Sequence, residues 1–147
     1  MKNLPDSTPA IRVTAMPADT NPYGGMFGGW LMGQMALAAG SLASRHARSK
    51  AVVVAADNLR FPGAMAVGDE LSVYCTITRE GRTSILIRAE AIARDRNSDR
   101  EFPVASGDFT MVAVDDAGKA RAIEAAFPSP RSAGAESPSP AEGRGKG

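Results

Sequence analysis

The residues best suited to chemistry sit in one stretch, DTNPYGGMFGGWLMGQMALAAG, residues 19–40. Gly24, Gly25, Gly28 and Gly29 fall just before a long uncharged run, and no acidic residue follows Asp19 in the stretch. A helix that starts here leaves its first amides without intrahelical acceptors, and the aligned peptide dipoles add partial positive charge. Glycines remove the side chains that would hold a ligand off that backbone. Such a terminus can bind an anion or polarise a carbonyl oxygen. Spacing alone also admits a plainer role, a glycine turn that lets a buried helix pass close to a sheet.

Several other chemistries find no support. His46 is the single histidine and Cys75 the single cysteine. No His pair or His/Cys cluster suggests zinc, and no metal or other cofactor is expected. One cysteine cannot form an internal disulfide, so a reduced, cytoplasmic setting is the default expectation. Cys75 alternates with apolar neighbours as a core thiol would, and His46 falls near a helix end, where a surface or capping role suits it. GGMFGG lacks the Gly-Lys-Ser/Thr of a phosphate-binding loop and the glycine spacing of a dinucleotide fingerprint. The 17 basic and 16 acidic residues are interspersed, with a formal net charge of +1, which gives no electrostatic basis for nucleic-acid binding.

The elements that must position the glycines follow from periodicity. IRVTAM, Ile11–Met16, alternates as a short strand. PADTNPYGG is a loop of breakers. From about Met26 to His46, Trp30, Leu31, Met35, Ala38, Ala39 and Leu42 recur at helical steps, and cations at the end favour the dipole there. A bilayer span needs about 20 predominantly apolar residues; the best apolar part here, Trp30–Ala43, is shorter and rich in Gly and Ala, so a buried helix is expected rather than a membrane span. Four strands follow: Ala51–Phe61, Glu70–Thr78, Ser84–Arg94 and Glu101–Val114, with EGRTS as a tight hairpin between the second and third. Residues 1–10 read as a loose lead-in that carries no apolar signal-peptide core. Residues 128–147 are rich in Pro, Ser and Gly and are expected to be disordered. One long helix and a run of mostly antiparallel strands make an α+β domain over residues 11–127. Its curved sheet has edges, and pairing edges between two chains is one way to cover them.

The segment AMPADTNPYGGMFGGWLMGQM resembles the signature of the hot-dog-fold acyl-CoA thioesterases, in particular the bacterial YciA-type branch, whose pattern continues into G-D-I/M-F-G-G-W-L-x-x-Q-M-D. FPGAMAVGDEL, EGRTSILI and MVAVDDAGKARAI are similar to later parts of the same family, so the resemblance spans about residues 11–124. It implies a hot-dog fold, a five-stranded sheet wrapped around the central helix. It also implies a homodimer or higher homo-oligomer with joined sheets and an active site between two subunits. The substrate would be an acyl-CoA thioester, hydrolysed to CoA and free acid. By the same resemblance Phe27 and Gly28 would offer backbone amides to the thioester oxygen, and Asn21 would bond the water or substrate. Arg82, Thr83 and Ser84 would lie near the CoA moiety, where a cation and two hydroxyls suit phosphate and pantetheine. Trp30, Met26, Met32 and Met35 are candidates either for an acyl pocket or for the core.

The chain departs from the pattern where it matters most. The resemblance puts the motif's catalytic aspartate at Gly25, and the later motif aspartate, after Gln-Met, at Ala36. Among the remaining carboxylates, Asp19 suits a loop brace and Asp69 a turn residue. Asp57 suits either a sheet end or a position facing a partner's site. Asp108, between Gly107 and Phe109, is a candidate buried carboxyl with a raised pKa. The expectation is an acyl-CoA hydrolase with impaired or rearranged catalysis. Three alternatives stay open: an acyl-CoA-binding protein that has lost its base, a structural oligomer, and a variant chain whose aspartate was replaced.

Overall fold

The computed structural model describes residues 8–123; the expected disordered tail, 128–147, lies outside them. The elements run β1 (Ile11–Thr14), a 3-10 turn (Pro17–Asp19), α1 (Gly28–Ala47), β2 (Lys50–Arg60), β3 (Glu70–Glu80), β4 (Ser84–Arg94) and β5 (Glu101–Val114). All five strands form one antiparallel sheet in the order β1-β3-β4-β5-β2. Short turns join β3, β4 and β5, so these strands are neighbours in sequence and in space. β2 returns from the helix to the far edge and β1 takes the other.

The helix lies against β2, β3, β4 and β5. Its buried face is Leu31, Met35, Ala38, Ala39, Ala43 and Ala47. Trp30 and Leu42 pack partly buried at its margin. The alanines bring the helix close to the sheet, and its large apolar contacts come from Leu31 and Met35. The sheet's facing residues include Leu71, Val73, Ile85, Ile87, Phe109 and Met111, all buried. In β4 the expected inward set, Ile85, Ile87, Ala89 and Ala91, is fully buried. Cys75 is partly buried, and desolvation pushes its thiol up to about 12, which makes it an inert thiol at neutral pH.

α1 ends where Arg48 turns into the left-handed region, with φ of 58°, and its amide donates to the Ser44 carbonyl at 2.8 Å. The helix begins later than its apolar periodicity suggests. Met26 bridges back to Thr20, which holds residues 20–26 as a closed loop, and Phe27 becomes the N-cap.

Candidate active site

The loop before α1 is organised by Asn21. Its Oδ1 accepts from the amides of Tyr23, at 2.7 Å, and Gly25, at 3.2 Å. Its Nδ2 donates to the Met26 carbonyl at 3.4 Å, and its backbone amide donates to the Gly25 carbonyl. A short amide side chain that bonds its own following backbone is the usual means of fixing such a turn. Asn21 therefore holds the loop's shape with both ends of its side chain. Asp19 braces the loop as expected: its Oδ2 accepts from the Met16 amide at 3.3 Å.

The four glycines have different jobs. Gly24 sits at φ of +95°, which a side chain would disfavour. At Gly29 a Cβ would lie 2.6 Å from the Phe27 ring, so only glycine lets that ring lie along the first turn. Gly25 and Gly28 are neither strained nor crowded. A Cβ at Gly25 would make ordinary contact with Asn21 Nδ2 at 3.6 Å, and one at Gly28 would point into open space. These two positions leave room at the helix start.

The amide accounting differs from the expectation in one respect. The Phe27 amide donates to the Asp19 carbonyl at 2.9 Å, because the loop folds back on itself there. The Phe27 carbonyl in turn accepts from Trp30 and Leu31. Among the described residues the Gly28 and Gly29 amides find no acceptor, and no side chain caps the helix. The open donors at the positive end of the dipole are thus Gly28 and Gly29. Phe27 contributes a half-exposed ring instead, and Tyr23 earlier in the loop is almost fully exposed.

The EGRTS hairpin is built as a tight turn. The Gly81 amide donates to the Ser84 carbonyl at 2.8 Å. The Thr83 and Arg82 carbonyls accept from the Ala113 and Ile123 amides, each at 2.9 Å. Glu80, at its root, bonds His46 in the last turn of α1 at 2.8 Å. The hairpin therefore stands at the C-terminal end of the helix, whereas Gly28 opens the N-terminal end. At 1.5 Å per residue those ends are about 27 Å apart. One chain does not bring Arg82, Thr83 and Ser84 to the glycine loop.

Two acidic candidates separate clearly. Asp108 Oδ2 accepts from Asn58 Nδ2 at 2.8 Å, and its Oδ1 accepts from an Arg88 guanidinium nitrogen at 3.3 Å. The Asn58 hydrogen bond, with Arg88 adding to it, holds this carboxyl below the usual aspartate range although partial burial works against that. The candidate reading of Asp108 as a buried carboxyl with a raised pKa does not hold, because a paired carboxylate is stabilised in its charged form. Asp57, opposite Asp108 in the ladder, is exposed on the edge strand. Of the acyl-pocket candidates, Met26 and Met35 are core residues, while Met32 is exposed. Among the described residues no group of His, Cys, Asp and Glu could hold a metal ion, and no helix is long and apolar enough to cross a membrane.

A helix terminus opened by small residues, set on a five-stranded antiparallel sheet in this order, defines a hot-dog-fold protein. Residues 23–99 match the thioesterase superfamily. The chain is 50% identical over 112 residues to an uncharacterized acyl-CoA thioester hydrolase of Zymomonas mobilis, covering 76% of this chain and 75% of that one. It is 36% identical over 124 residues to the acyl-CoA thioester hydrolase YciA of Escherichia coli strain K12, covering 82% and 94%. The hexameric thioesterase of Yersinia pestis has the same fold, with a TM-score of 0.77 at 38% identity over 82% of this chain and 98% of its own. The chain belongs to the thioesterase superfamily, among the YciA-type thioester hydrolases.

Proposed function

We propose that this protein binds acyl-CoA between subunits of a homo-oligomer and hydrolyses the thioester to CoA and a free acid. The observation that carries the reading is the uncapped start of α1, where the Gly28 and Gly29 amides are unpartnered beside the open position at Gly25. A thioester carbonyl oxygen gains negative charge as water attacks, and preorganised amides at a helix N-terminus stabilise that charge. Phe27 lends its exposed ring to this end of the helix, and Asn21 keeps the amides aimed by fixing the loop. Arg82, Thr83 and Ser84 take the CoA moiety. Because they stand at the other end of α1, a second chain running the opposite way brings its hairpin to the first chain's glycine loop.

The exposed edge of β2 suits that second chain. Val52, Val53 and Val54 are 46%, 42% and 57% exposed, and an unpaired edge of this kind is a template for pairing. Asp57 lies on the same edge strand, where it meets the substrate's CoA side in the assembled site. The setting proposed is the reduced cytoplasm, with no cofactor beyond the CoA carried by the substrate.

Neither Gly25 nor Ala36 supplies the carboxylate that the family pattern has at those positions. A general base contributes about 10²–10⁴-fold, so turnover should be slow. The same observation favours a second reading, an acyl-CoA-binding protein without turnover. Release of free CoA across acyl chain lengths, with calorimetric binding of CoA in parallel, separates them. Hydrolysis above background supports the enzyme. Binding without hydrolysis supports the binder, and no binding of any acyl-CoA rejects both.

A further inference from the structure

β3 carries one extra residue near its end. Ile77 pairs with Ile87, but Arg79 pairs with Leu86 and Glu80 with Ile85. Side chains alternate between the two faces of a strand, and residues paired across the ladder share a face. Ile77 lies on the helix side, so regular alternation would put Arg79 there and send Glu80 outward. The bulge at Thr78 inverts this, and Glu80 shares the face of the fully buried Ile85. There Glu80 Oε1 accepts a hydrogen bond of 2.8 Å from His46 Nε2 in the last helical turn. Both side chains are partly shielded, at 26% and 30% exposure. Bulges of this type re-aim one side chain. Among the described residues this is the sole side-chain hydrogen bond between α1 and the β3–β4 hairpin.

We propose that His46 and Glu80 are a positioning pair that sets the approach of the Arg82–Ser84 hairpin to the CoA moiety. The inference rests on the function proposed above. Glu80 directly precedes the turn, so its anchor on the helix fixes the hairpin's root while Ala113 and Ile123 hold its tip. Neither residue touches the reacting atoms. Loss of the pair loosens CoA recognition and leaves the chemical step alone. The opposite end of the same two strands provides a control: there Arg94 Nε donates to Glu70 Oε1 at 3.1 Å, far from the hairpin.

The test compares full-length His46→Ala, Glu80→Ala and Glu70→Ala with the wild type, using steady-state CoA release and calorimetric CoA binding. Loss of a hydrogen bond to a charged group should raise KM and the Kd for CoA about five- to tenfold in the first two variants, with kcat within about twofold. The double variant should be no worse than either single one, because both remove the same contact. His46→Gln, which keeps an N–H at similar reach, should recover most of the affinity. If an alanine variant fails to fold, Glu80→Gln carries the test and should show a smaller rise in KM. Unchanged KM and Kd in folded variants overturn the proposal, as does an equal rise in Glu70→Ala. A wild type that binds no CoA removes the functional reading as well; normal wild-type binding with unaltered variants removes the positioning role alone.

Discussion

β2 and β4 are the same length, 11 residues, and each is mostly apolar, but β4 lies between β3 and β5 while β2 borders β5 alone. The difference in burial is large. β4 hides Ile85, Ile87, Ala89 and Ala91 completely, whereas β2 leaves Val52, Val53 and Val54 open to solvent. Beside them on the helix, Gly33, Ala36, Leu37 and Gly40 line an open groove with Val53 and Met111. Composition gives both strands the same apolar content, and topology decides which of them one chain can satisfy. β4 belongs to a finished core. β2 and the helix face next to it leave apolar surface open, which the second chain of the proposed assembly covers.

Breaking the finished side should have the largest effect. Ile87→Ala removes a fully buried branched side chain and should cost about 2–5 kcal/mol in chemical denaturation. A loss below about 1 kcal/mol would mean that the β4 core repacks freely. On the unfinished side, Val53→Lys with Val54→Lys should leave secondary structure intact by circular dichroism. Sedimentation should then show smaller species, and specific activity should fall at least about tenfold if the site is split between subunits as proposed. Undiminished activity in a dissociated protein would show that one chain holds a complete site. Gly25→Asp tests the helix start directly. An Asp there would lie beside Asn21, and turnover should rise about tenfold or more if a base is all that is missing. Ala36→Asp, entering from the groove, provides the second position. No gain from either would mean that the site works without a carboxylate at these points.

The smallest effect concerns the ladder pair Asp57 and Asp108, one on the open edge and one inside the sheet. The folded pKa of Asp108 is depressed, chiefly by Asn58. Its contribution to stability is therefore present above the ordinary aspartate value, near about 4, and is lost as pH falls through the lower folded value. Asp108→Asn should flatten the decline of Tm on the acid side of about pH 4. Parallel Tm profiles for the two proteins would show that the Asn58 and Arg88 contacts add nothing.

Much of this architecture was legible in the sequence. β4 and β5 follow directly from alternation bounded by breakers, and the helix from the steps between Leu31, Met35, Ala38, Ala39 and Leu42. The glycine loop was legible as an opened helix start. Its amide bookkeeping was not, because the donation from Phe27 to the Asp19 carbonyl depends on the closure of the loop between Thr20 and Met26. The exposure of β2 was hidden for a related reason. An apolar run records that a strand is covered by something, and it does not record whether the cover is its own chain. The bulge in β3 was also out of reach, since one extra residue leaves no mark in a short alternating run. Glu80 then read only as part of the EGRTS turn, and His46 as a surface or capping residue. The candidate raised pKa of Asp108 did not hold because it considered burial without Asn58, which reaches the carboxyl from a left-handed position, φ of 54°, on the neighbouring strand.

The open edge of β2 makes protein concentration an experimental variable. If assembly completes the site, diluted enzyme should lose activity per chain, and freshly diluted samples should show a lag as subunits part or rejoin. Anything that binds only the assembled form, a CoA thioester included, then holds subunits together by mass action. Substrate would protect the protein from dilution, and two laboratories working at different protein concentrations would measure different enzymes.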